Sequence, residues 1–117
     1  MFKTWKKIVA EHEELGKMMT EKHELLNNRV REWNSKIAPL TREEKALREK
    51  LLTCTERERK DFETKIDAIV DELKPLNEMH DSIAKKEIET ENRIYKYMRE
   101  NLTEKELKKA KKHGWEI

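Results

Sequence analysis

The chain is 117 residues long and carries 27 Lys and Arg against 25 Asp and Glu, so 44% of it is charged, 35% is hydrophobic and the net charge is +2. Its two glycines and two prolines are too few for the turns that a β-sandwich or an α/β domain needs roughly every ten residues. High charge is a usual companion of disorder, but here the charges balance and the apolar residues recur at helical spacing, which points to an all-α protein of long helices.

A first helix is predicted over about 3–37. Trp5, Ile8, Val9, Leu15, Met18, Met19, Leu25, Leu26, Val30, Trp33 and Ile37 recur mostly at steps of three and four, which draws one apolar stripe. Gly16 inside it would allow a close helix crossing. Pro39 is expected to end this helix, because the residue before a proline is pushed away from helical geometry.

The second helix is predicted over about 41–74, opened by a capping box of Thr41 and Glu44. Leu47, Leu51, Cys54, Phe62, Ile66, Ile69, Val70 and Leu73 carry its stripe, and Cys54 reads as a core residue. The stretch TERERKD between Cys54 and Phe62 has no apolar member. It either continues the helix or breaks it with a second capping box at Thr55 and Glu58. The continuous helix is the favoured reading, since no Gly, Pro or Asn marks a turn.

Pro75 is expected to mark a hairpin turn, because an internal proline removes a backbone hydrogen bond. A third helix follows over about 76–101, with Leu76, Met79, Ile83, Ile88, Ile94, Tyr95 and Met98 on one face. A short basic helix over about 103–113 is capped by Thr103 and Glu106 and stopped by Gly114. The expected fold is therefore three long antiparallel helices in a coiled-coil-like bundle, plus a short C-terminal helix, within a single domain over 1–117.

No catalytic constellation is evident, and no enzyme, metal or cofactor is expected. His12 and His23 each begin a half-motif, HEELG and HELLN, but Gly16 and Asn27 stand where a second zinc-binding histidine would be needed. The single cysteine excludes an intrachain disulfide and fits a reducing, cytoplasmic setting. No apolar run is long enough to span a bilayer. The basic, aromatic amino end around Phe2 and Trp5 is read as the end of a core stripe rather than as a membrane anchor.

Two features suggest partners. Charge is uneven: residues 61–91 hold ten acidic and four basic side chains, and residues 105–113 hold five lysines and one glutamate, an imbalance that docking of the basic ends on the acidic middle of the same chain would satisfy without a ligand. The second feature is the presence of three tryptophans in so polar a chain, since Trp is enriched among binding hot spots. Trp5, Trp33 and Trp115 are the candidate protein-binding residues. The leading expectation is a non-enzymatic adaptor, assembly factor or inhibitor that occupies a surface of a larger protein, with a homodimer as a further option. The alternative is a nucleic-acid-associated protein that grips phosphates with Lys108, Lys109, Lys111 and Lys112.

Overall fold

The computed structural model describes residues 3–117 and is all-helical, with 88% helix and no strand among those residues. Phe2 lies outside them. The elements are α1 (Trp5–Glu11), α2 (Glu13–Glu32), α3 (Ala38–Leu51), α4 (Glu56–Asn101) and α5 (Glu104–Lys112), with a π-turn at Trp33–Ile37 between α2 and α3. Two compact units form: residues 1–26 with 85–117, and residues 27–84. Helices α2 and α4 contribute to both.

The first predicted helix is interrupted at His12, the C-cap of α1, which has φ −111° and ψ 82°. Thr4 opens α1, its hydroxyl accepting the Lys7 N–H at 3.2 Å. The break frees the His12 ring to reach Tyr97 and Glu106, partners 85 and 94 residues away that no local pattern announces.

Pro39 does not end the helix. It stands in the first turn of α3, where a missing N–H costs little. The π-turn immediately before it widens the backbone, and the Ala38 N–H reaches back to the Trp33 carbonyl. This lets the chain pass a proline without an α-type bond at residue 39. The hydroxyls of Ser35 and Thr41 donate to the carbonyls of Arg31 and Ile37, at 2.6 and 2.9 Å, and occupy acceptors on either side of it.

The expected turn at Pro75 is likewise absent: α4 runs through it as one helix of 46 residues. Leu73 is buried and Leu76 half-buried on either side, so packing offsets the cost of the missing bond. The division of the chain into rods ending at Pro39 and Pro75 is thereby corrected.

The chain instead turns at residues 52–55, where the continuous helix was favoured. The Thr55 hydroxyl accepts the Glu58 N–H at 3.3 Å and donates to the Glu58 carboxylate at 2.9 Å, while the Thr55 N–H approaches that carboxylate at 3.5 Å. That capping box, together with the absence of any apolar side chain to hold 55–61 against a neighbour, decides the break. Cys54 is not a core residue: it stands half-buried in this turn, with its thiol 3.7 Å from the Leu51 carbonyl.

Unit 27–84 is consequently a helical hairpin. Its core is Ile37 and Leu47 on one arm against Ile66, Ile69 and Leu73 on the other, flanked by Leu40, Leu51, Phe62 and Leu76. Trp33 against His80 and the Lys50 ammonium over the Phe62 ring fix the arms as antiparallel.

The other unit buries Ile8, Leu15, Ile94, Met98, Leu102 and Ala110. There α5 begins with the expected capping box: the Glu106 N–H donates to the Thr103 hydroxyl at 3.2 Å, and the Thr103 N–H to the Glu106 carboxylate at 3.0 Å. It ends at Gly114, whose φ of 93° lies in the left-handed region. The Trp115 N–H reaches the Ala110 carbonyl and the Gly114 N–H that of Lys111, both at 3.1 Å, which completes a Schellman motif.

Candidate protein-binding surface

The three tryptophans have different fates. Trp5 lies half-buried in unit 1–26/85–117, stacked on the His113 ring at 5.9 Å with an interplanar angle of 22°. The Schellman turn swings Trp115 back onto the same core. There it meets Tyr95 edge-on at 5.5 Å, and the Lys22 ammonium sits 5.0 Å above its ring. Trp115, a candidate protein-binding residue in the sequence, is thus packed as a tether of the C-terminal end onto this core.

Trp33 differs. It opens the π-turn and remains 42% exposed, its ring 5.4 Å from that of His80. With Arg29, Val30 and His80 it lines an open cleft of about 330 Å³ in the hairpin unit. Val30 is 45% exposed, so the cleft presents an apolar wall beside an indole. The π-turn advances the helical register by one residue, and Trp33 thereby stays outside the buried set to which Ile37 belongs. Beside it, Lys36 pairs with Glu32 at 2.9 Å. From the sequence Trp33 was legible as a candidate and Val30 as its neighbour on the apolar stripe; His80 was not, because it comes from a segment 47 residues away that the expected turn at Pro75 directed elsewhere.

On α5, Lys108, Lys111 and Lys112 are exposed and Lys109 is half-buried. Among the described residues of their own unit, no carboxylate pairs with Lys108, Lys111 or Lys112, whereas Lys109 is engaged.

His12 links α1 to two other helices. Its Nδ1 lies 3.0 Å from the Tyr97 hydroxyl and its Nε2 3.3 Å from the Glu106 carboxylate. The Thr103 backbone N–H holds the Glu106 carboxyl below its ordinary range; burial opposes this, and the Thr103 hydroxyl and His12 act with the backbone. The trio joins α1, α4 and α5, the geometry of a structural clasp. Among the described residues no group of three His, Cys, Asp or Glu side chains is disposed to hold a metal ion. No helix among them is long and apolar enough to cross a membrane.

Compared with protein-family models, curated proteins and solved structures, the chain matches none.

Proposed function

We propose that this chain is a non-enzymatic, coiled-coil-like helical module that binds another protein, acting as a small adaptor, assembly factor or inhibitor by occupying a surface of its partner. One observation carries the reading: Trp33 is the tryptophan left substantially exposed, at the rim of a cleft with Val30 and His80. A rigid aromatic with an apolar neighbour and polar groups at its edge is the composition of a binding hot spot. A cytoplasmic setting belongs to the same reading and is supported by the single free thiol of Cys54.

The test is quantitative co-purification from the native cell with the wild-type chain and with Trp33→Ala. A defined protein is expected to be enriched by the wild type and lost with the variant. Equal recovery with both, or enrichment of nothing, refutes the role of this cleft.

A second reading draws on the three exposed lysines of α5 that have no ion-pair partner among the described residues: weak, salt-sensitive binding of nucleic acid through phosphates. Retardation of labelled DNA or RNA at low salt, abolished when Lys108, Lys109, Lys111 and Lys112 are replaced by Gln, would support it. No retardation would remove it.

A further inference from the structure

Within unit 1–26/85–117, α1 and α5 run antiparallel. Trp5, which opens α1, stacks on His113 at the end of α5 at 5.9 Å, and His12 at the end of α1 meets Glu106 in the first turn of α5 at 3.3 Å. On α5, Lys105, Lys108 and Lys112 recur at steps of three and four on the side opposite buried Ala110, and all three are exposed. On α1, Lys3, Lys7 and Glu11 recur at steps of four and so share one flank. That flank borders α5. The Lys3 ammonium is held above its ordinary range by its hydrogen bond to Glu11 and by the Glu11 charge; desolvation opposes this, and the Glu106 carboxylate across on α5 adds to it.

Lys7, Lys105, Lys108 and Lys112 are exposed and have no ion-pair partner among the described residues. The carboxylates beside them are mostly spent: Glu11 on Lys3 at 2.7 Å, and Glu106 on His12 and the Thr103 N–H. Glu104, exposed in the first turn of α5, stands open at the start of the lysine row. The row itself carries no apolar side chain, because Leu107 and Ala110 pack into the core of the unit. The tryptophans of the unit are also engaged, Trp5 with His113 and Trp115 with Tyr95.

We infer that this two-helix ridge lies along the sugar-phosphate backbone of a nucleic-acid duplex, with Lys7 of α1 joining Lys105, Lys108 and Lys112 of α5. The assignment rests on the nucleic-acid reading of the α5 lysines, and adds to it a second helix and the kind of nucleic acid; it owes nothing to the Trp33 cleft. An anionic membrane is held by apolar side chains set beside the lysines, and an acidic protein by an apolar and aromatic interface core. The ridge offers neither. A single strand is held by stacking its bases on open aromatic rings, and here Trp5 and Trp115 are already packed internally. A duplex backbone asks only for positive charge at a fitting spacing. From Lys105 to Lys112 α5 rises about 10.5 Å, which matches three phosphate steps of one strand at roughly 3.4 Å each.

The experiment is binding of the full chain to a fluorescently labelled DNA duplex, followed by anisotropy between about 20 and about 200 mM salt. Four neutralised phosphates should give log affinity a slope of about −3.6 on log salt. Lys7→Gln should lower the magnitude of that slope by about 0.9, and Lys105→Gln, Lys108→Gln, Lys112→Gln combined by about 2.7. Lys111→Gln, in line with Leu107 at the other border of α5, should change it less than Lys7→Gln does. The matching single strand, polyglutamate and anionic lipid vesicles should each bind more weakly than the duplex at equal concentration of charge. Should circular dichroism show the triple variant to be unfolded, Lys108→Gln alone is expected to lower the slope by about 0.9. A duplex not bound at low salt overturns both the ridge and the nucleic-acid reading beneath it. Binding lost with the α5 lysines but unmoved by Lys7→Gln, or moved more by Lys111→Gln, overturns the ridge while that reading stands. A single strand, polyglutamate or vesicle bound as tightly as the duplex overturns the assignment of the ligand.

Discussion

Gly16 shows how a residue read one way in sequence acquires another meaning in space. It lies within α2, and a Cβ built on it would stand 3.7 Å from the Val9 side chain and 3.8 Å from the Val9 carbonyl, ordinary contact distances. The close approach that would demand glycine is therefore absent, and Gly16→Ala should stabilise the chain by up to about 1 kcal/mol through helix propensity, measured by thermal or urea denaturation. Glu106 leads to a prediction in pH. Its folded-state carboxyl is held below the ordinary 4.5, so its contribution is fully present above that value and is lost as pH falls through and below it. The stability gap between wild type and Glu106→Gln should be open at pH 7 and close in acid; a gap that widens on acidification would contradict the clasp with Thr103 and His12. At this scale the sequence carried the caps at Thr103, Glu106 and Gly114, because capping is written within four residues. The partners of His12 escaped it, since they are fixed by tertiary approach alone.

Prolines are the elements' main surprise. Both were read as boundaries from local sterics, and both lie in continuous helical paths. At Pro39 the cost is avoided by geometry, through the π-turn and a first-turn position. At Pro75 it is carried, since the proline sits deep inside α4. Pro75→Ala should accordingly raise stability by about 2 kcal/mol: roughly 3 from the restored hydrogen bond and relieved clash, less about 1 for the freer unfolded chain. Denaturant midpoints of the two proteins check this, and an unchanged or lower midpoint would mean that the proline serves the native geometry. The true interruption at 52–55 was visible as an alternative, a Thr55–Glu58 capping box without Gly or Pro. Local grammar could state that option but not choose it. The choice came from which apolar stripes could meet: Phe62, Ile66, Ile69 and Leu73 find Leu51, Leu47, Leu40 and Ile37 only if the chain reverses just before residue 56.

For the whole molecule, helical class was legible because period and composition are properties of every window of the sequence. Grouping into units was not, because it depends on which stripes pair. That grouping has a consequence for folding. Unit 27–84 is continuous in sequence, so its hairpin closes through one short turn at low entropic cost. The other unit joins residues 1–26 to 85–117, and its core of Ile8 and Leu15 against Ile94, Met98, Leu102 and Ala110 exists only when both segments are present. An excised 27–84 peptide should therefore show a helical far-UV circular dichroism spectrum and a cooperative melt below that of the full chain. Peptides 1–26 and 85–117 should each be largely unfolded alone, being short helices without a face to bury against. A random-coil spectrum for 27–84 would show that Ile37, Leu47, Ile66, Ile69 and Leu73 do not suffice as a core. The hairpin would then be a passenger on the unit built from the two ends, and the mutual support of α2 and α4, which run through both, would have to carry the fold.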